Sequence, residues 1–236
     1  FQAKDFTGAM TDFSQAITLK ADFEKAYYNR GLSKMELKMD KDAIADFDKS
    51  LSLNAAADYA VFSRAQVKLN SGDKEGAMGD YSLAAALNPK NEQAIYNRGV
   101  MKFSNADYKG AAEDFTLAIA AKSDFAYAFN DRGSAKRMLK DYDGAIADYQ
   151  QAIKCNPTLH FVYNNLGSAR RDKGDLKGAA DAYSTAISLK SDYYIAWNNR
   201  GSAKFDQGDM PGANMDFSRA IEIKSDYAFA WNNRAA

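Results

Sequence analysis

Residues 194–227 read YIAWNNRGSAKFDQGDMPGANMDFSRAIEIKSDY, and the segment just before them, 160–193, reads HFVYNNLGSARRDKGDLKGAADAYSTAISLKSDY. The two segments align without a gap, and the alignment extends through the chain. Gly31 returns at Gly99, Gly133, Gly167 and Gly201, with Ala65 and Ala235 in the remaining slots. A second row is Ala9, Ala43, Ala77, Ala111, Ala145, Ala179 and Ala213, and a third is Phe13, Phe47, Tyr81, Phe115, Tyr149, Tyr183 and Phe217. A fixed period of this length marks a stacked array, in which each unit buries its apolar face only against its neighbours. Within 194–227, Trp197, Gly201, Ala203 and Phe205 recur at helical spacing up to a break at Gln207-Gly208-Asp209. A second run carries Ala213, Phe217, Ala220, Ile221 and Ile223 and opens at Pro211, which suits a first helical turn. Ser225 or Asp226 is placed to cap the helix after it. Each unit therefore reads as two short antiparallel helices, and the chain as all-α.

Trp197, Gly201, Ala213 and Phe217 stand at the spacing of the tetratricopeptide repeat (TPR) family, which the whole chain resembles. The family's closing Pro stands at Pro89 and Pro157, with Ala21, Ala55, Ser123, Ser191 and Ser225 in the other slots. The resemblance implies a right-handed α-solenoid of 34-residue helix-turn-helix units. Their boundaries would be 24–57, 58–91, 92–125, 126–159, 160–193 and 194–227, in one continuous domain. Residues 1–23 match only a second helix and 228–236 only the start of a first, so the chain reads as an excerpt of a longer protein.

Composition narrows the function. Lys plus Arg equals Asp plus Glu at 31 each, which disfavours a general nucleic-acid or membrane-surface binder, and no apolar run reaches the length of a membrane span. The one cysteine, Cys155, excludes an internal disulfide. His160 with Cys155 gives at most two metal ligands, so no metal is expected, and His160 reads as a cap or surface residue. Carboxylates recur in every unit rather than once as a catalytic pair, so neither a catalytic residue nor a cofactor is expected.

Arg30, Arg64, Arg98, Arg132 and Arg200 precede the small-residue slot, and Asp46, Asp80, Asp114, Asp148 and Asp216 precede the aromatic of the same unit. One unit has neither, carrying Leu166 and Ala182. Joint loss predicts an Arg–Asp pair inside each unit, linking first helix to second. A further cation row, Lys34, Lys68, Lys102, Lys136, Arg170 and Lys204, reads as stems lying over apolar surface with their heads in solvent.

The resemblance places the first helices along an inner groove, so the expected partner is a protein or peptide. Asn29, Asn97, Asn165, Asn199 and Asn233, with Ser63 and Asp131 as departures, form a row that resembles the asparagine ladder in the TPR arm of O-GlcNAc transferase. A carboxamide both donates and accepts, so it can hold a peptide backbone whatever its side chains. One residue earlier the row reads Tyr28, Phe62, Tyr96, then Asn130, Asn164, Asn198 and Asn232. Leu32, Met35, Leu69, Val100 and Phe103 accompany the aromatics; Ser134, Ser168, Ser202, Arg137 and Arg171 accompany the asparagines. The groove should thus be apolar toward the N-terminus and polar, with two cations, toward the C-terminus. The clamp with which some TPR domains hold chaperone tails is not matched by Tyr28 and Leu32, Phe62 and Gln66, or Asn130 and Ser134. Two alternatives remain: a substrate-recruiting arm of a larger enzyme, and head-to-tail self-association through 228–236 and 1–23.

Overall fold

The computed structural model describes residues 5–235, which form fourteen helices and no strand. They are α1 (Phe6–Leu19), α2 (Glu24–Glu36), α3 (Asp40–Leu53), α4 (Asp58–Asn70), α5 (Lys74–Leu87), α6 (Glu92–Ser104), α7 (Tyr108–Ala121), α8 (Ala126–Met138), α9 (Tyr142–Cys155), α10 (His160–Lys173), α11 (Leu176–Leu189), α12 (Tyr194–Asp206), α13 (Met210–Ile223) and α14 (Ala228–Ala235). They fall into two compact units, one ending at Met101 and one starting at Lys102. In the first, α1 to α5 pack each against the next; in the second, α7 to α14 do the same. Each unit is an α-solenoid stack of helix pairs. No described helix is long and apolar enough to cross a membrane.

The period follows from one packing contact. The rings of Phe47, Tyr149, Tyr183 and Phe217 are fully buried against the glycine slot of the paired first helix. A Cβ on Gly31, Gly167 or Gly201 would stand 2.7 Å from the facing ring. Real Cβ atoms do not approach so closely, so the small residue sets how near the two helices lie. Ala65, which packs with Tyr81, shows that one methyl is accommodated where the neighbours give way.

The turns are equally repetitive. Residues 38, 72, 106, 140, 174 and 208 all have positive φ, as Lys38, Gly72, Ala106, Lys140, Gly174 and Gly208. The second helices α1, α5, α7, α9, α11 and α13 begin with an Asp cap. Asp107 Oδ1, for example, accepts the Gly110 N–H at 2.9 Å. A Cβ on Gly110 would stand 2.2 Å from Asp107 Oδ2, so this glycine accommodates the cap. Pro211 lies in the first turn of α13, as its ring geometry favours. The expected Ser225 or Asp226 cap is displaced in sequence: α14 starts at Ala228, directly behind Tyr227, and the equivalent Tyr193 before α12 makes no side-chain cap.

Candidate functional site

The Arg–Asp pairing is present, and it is larger than a pair. Arg30 donates from Nε and Nη2 to the two Asp46 oxygens at 2.8 and 2.7 Å. The same fork joins Arg64 to Asp80, Arg132 to Asp148 and Arg200 to Asp216. The remaining Nη1 reaches the preceding second helix: Ser14 Oγ from Arg30, Asp48 from Arg64, Thr116 from Arg132 and Ser184 from Arg200, at 2.6–3.1 Å. Each arginine thereby ties three helices together. The bonded carboxylates hold the Arg30 and Arg64 guanidinium groups above their usual range.

The lysine row corrects the sequence reading. Lys34, Lys68, Lys136 and Lys204 place their ammonium groups 2.7–2.8 Å from the same aspartates, and Lys102 lies 2.9 Å from Asp114. Their heads are therefore not free in solvent; each lies on a buried carboxylate. The unit without the pair is filled instead by Leu166 and Ala182, both buried in a cluster with Tyr149 and Val162. There Arg170, in the lysine slot, turns to the Gly178 carbonyl at 3.0 Å.

In the second unit the asparagine rows bond to each other. Asn165 donates to Asn130 Oδ1, Asn199 to Asn164 Oδ1 and Asn233 to Asn198 Oδ1, each at 3.0 Å. Asn130 also donates to Asp131 at 2.8 Å. The sequence reading put both rows in the groove, but Asn130, Asn164 and Asn198 are buried. They support the ladder from within, whereas Asp131, Asn165, Asn199 and Asn233 are half-buried and open on one side. The two cations are also engaged: Arg137 pairs with Asp172 and Arg171 with Asp206, both at 2.6 Å. The amide ladder and the ion pairs share one step, a full period plus one residue. It is visible in the sequence only once position n is compared with position n + 1 of the next repeat.

The first unit has a different surface. Tyr28, Phe62 and Tyr96 are half-buried. Tyr28 packs on Phe47 and edge-on against Tyr59, and Phe62 tilts against Tyr81. They brace the core and border the surface. Beside them α2, α4 and α6 enclose a hollow of about 330 Å³ walled by Met35, Leu69, Val100 and Met101, with Gln66, Asn70 and Asn97 among its polar groups. Asn97 also hydrogen-bonds the Tyr81 hydroxyl, whose pKa is raised by burial. A second hollow of about 320 Å³ lies between α1 and α2, with Asn29, Leu32 and Phe6 in its walls. No amide ladder of the second unit's kind forms here, because an aromatic stands where that ladder has its buried asparagine.

His160 is neither cap nor free surface residue. It opens α10 half-buried, edge-on to Tyr193 at 4.7 Å between ring centroids, and burial lowers its pKa.

Comparison with known proteins agrees with this architecture. Family models described as TPR repeat or tetratricopeptide repeat match residues 24–56, 126–159 and 167–208. No curated protein matches in sequence. Among solved structures, the C-terminal part of a TPR repeat-containing protein from Cytophaga hutchinsonii is similar with a TM-score of 0.78 at 15% identity, covering 98% of this chain and 95% of that one. YrrB, described as a TPR protein with an unusual peptide-binding site, is similar with a TM-score of 0.68 at 20% identity over 80% of this chain and 98% of that one. MamA is similar with a TM-score of 0.64 at 26% identity over 70% of this chain and 96% of that one.

Proposed function

Because this chain belongs to the tetratricopeptide repeat family, whose members serve as protein-interaction scaffolds, we propose that it holds an extended segment of a partner protein along the groove of its first helices. The observation that carries this reading is the hollow between α2, α4 and α6, where apolar walls meet amide groups. A peptide side chain of Leu or Met size entering it would gain about 1.5–3 kcal/mol from burial. The amides beside it suit a peptide backbone, which presents one donor and one acceptor per residue. In the second unit Asn165 and Asn199 each spend one N–H on the ladder, which fixes the carboxamide's orientation and leaves the other N–H for a ligand carbonyl, while the Asn233 amide also reaches Ser202 Oγ at 3.5 Å. Prior orientation lowers the entropy lost on binding.

The test is selection of binders from a random-peptide library, followed by affinity measurement. Leu69→Lys with Val100→Lys should abolish binding of the selected peptides, and Leu83→Lys on the second-helix surface should leave it unchanged. Peptides that bind all three proteins equally would place recognition elsewhere.

A further inference from the structure

We propose that the groove of the second unit receives a proline-rich segment in the polyproline II conformation, with an apolar side chain at every third residue. The proposal rests on the reading that the first helices hold an extended segment, and it names the kind of segment.

Three first helices well inside the chain, α8, α10 and α12, build this groove. Tyr127, Phe161 and Ile195 hold equivalent repeat positions, and each stands four residues before a member of the ladder row, Asp131, Asn165 or Asn199. Residues four apart share a helix face, so the three apolar side chains form a wall along one side of the ladder. Tyr127 is 48% exposed, Phe161 and Ile195 are half-buried, and the Tyr127 and Phe161 rings stack at 5.9 Å between centroids. In the first unit the same position carries Lys25, Tyr59 and Gln93, so no continuous apolar wall arises there. On the far side of the ladder the Arg137–Asp172 and Arg171–Asp206 pairs border the groove with charge.

Spacing and hydrogen bonding select the conformation. Asn165 bonds Asn130, and Asn199 bonds Asn164, across neighbouring first helices. Helices in such contact lie about 8–10 Å apart. Three residues of polyproline II advance about 9.3 Å and complete one turn, so every third side chain meets the next wall residue. A β-strand advances about 10 Å over three residues but turns its side chains to alternate faces, which would miss the wall at every other repeat. Asn165 and Asn199 each retain an N–H, and Asn199 Oδ1 already accepts from Asn198 at 3.4 Å. The Ser168 hydroxyl beside them is taken up by the Asn164 carbonyl and the Tyr183 hydroxyl, both at 3.1 Å. The rungs therefore call for carbonyl oxygens, and proline supplies one without bringing an N–H. A polyproline II segment makes no internal hydrogen bonds, so its carbonyls are available, and its prior extension lowers the entropy lost on binding.

Fluorescence anisotropy with three labelled peptides tests it. One is built of repeated Leu-Pro-Pro triplets, one has the same composition with irregularly spaced leucines, and one is built of Leu-Gly-Gly triplets. The Leu-Pro-Pro peptide should bind about tenfold tighter than either other. Tyr127→Ser and, separately, Asn199→Ala should each weaken it by about tenfold, the scale of one lost anchoring contact. Tyr127→Phe, which keeps the ring, should bind as the unaltered chain does, and so should Leu69→Lys with Val100→Lys in the first unit. Equal binding of the regular and irregular peptides, or an affinity untouched by Tyr127→Ser and Asn199→Ala, would overturn the proposal. Absence of binding by the Leu-Pro-Pro peptide would overturn it too. Library-selected peptides that still need Leu69 and Val100 would then show the groove reading standing without it.

Discussion

Asp148→Ala, alone and combined with Arg132→Leu, separates the cost of an uncompensated charge from the worth of the clasp. The Asp148 side chain is 5% exposed, with Arg132 at 17% and Lys136 at 27%. Removing the carboxylate takes both short contacts, 2.6 Å to Arg132 and 2.8 Å to Lys136, and leaves two partly buried cations beside each other without their counter-charge. Breaking a buried pair from one side costs about 3–5 kcal/mol. For a chain of this size that lowers the melting temperature by about 6–20 °C, at about 2–4 °C per kcal/mol. The double variant removes the more buried cation as well and copies the natural Leu166 and Ala182, which are buried in an apolar cluster. Lys136 can then turn its head to water along its stem. The double variant should therefore lose about half as much or less, since apolar replacement of a buried pair is often neutral. Thermal unfolding followed by circular dichroism reads both. Equal melting temperatures for single and double variants would refute the reasoning, because the single variant's loss would then not come from stranded cations.

Three further outcomes follow from the geometry. Lys140→Gly should stabilise the chain by about 0.5–1 kcal/mol, because Lys140 holds φ +65° where Gly174 and Gly208 stand in other repeats; an unchanged or lower urea midpoint would contradict this. Asp209→Ala should cost about 1 kcal/mol by removing the cap on the Gly212 N–H at 3.0 Å, whereas Asp209→Asn should keep most of it; equal urea midpoints for the two would contradict this. The Tyr149 hydroxyl is pushed up to about 12 by burial, partly offset by its bond to Ser134. The unfolded chain ionises it near pH 10, so from about pH 10 to 12 the folded state holds more protons and stability falls with pH, by about 2–3 kcal/mol in all. Tyr149→Phe, which places there the ring found at Phe115 and Phe217, should flatten that fall in a urea-midpoint titration; an undiminished fall would assign it to other groups.

Much of the fold is legible in the sequence because each repeat is a fresh copy of the same experiment. The helix pair, the ring-on-glycine contact and the Arg–Asp pairing all lie within one repeat unit, and the joint change to Leu166 and Ala182 reveals the pairing directly. The lysine contribution was readable too. Lys34 lies one helical turn after Arg30, hence on the same helix face, and the slot changes to Arg170 in the unit that lacks the aspartate. The Asp caps were hidden by their position in a turn, where Asp209 reads as part of a break although Asp-x-x-Gly recurs at Asp73, Asp107, Asp141 and Asp175. The amide ladder was harder. Which of two adjacent asparagines faces inward depends on a contact with the next repeat, and neither residue type nor spacing within a unit decides it. The hollow between α2, α4 and α6 is built from three repeats at once, so its Gln66 and Asn70 carried no signal in any one of them.

The central claim is that partners bind on the first helices. A photoreactive phenylalanine replacing Val100 on α6 and, in a separate protein, Leu83 on α5 tests it most directly, since both sites are exposed in the same unit. Irradiation with a selected peptide or a captured partner should yield cross-links from the Val100 site and none from the Leu83 site. Cross-links from the Leu83 site alone would contradict the account and place recognition on the second helices.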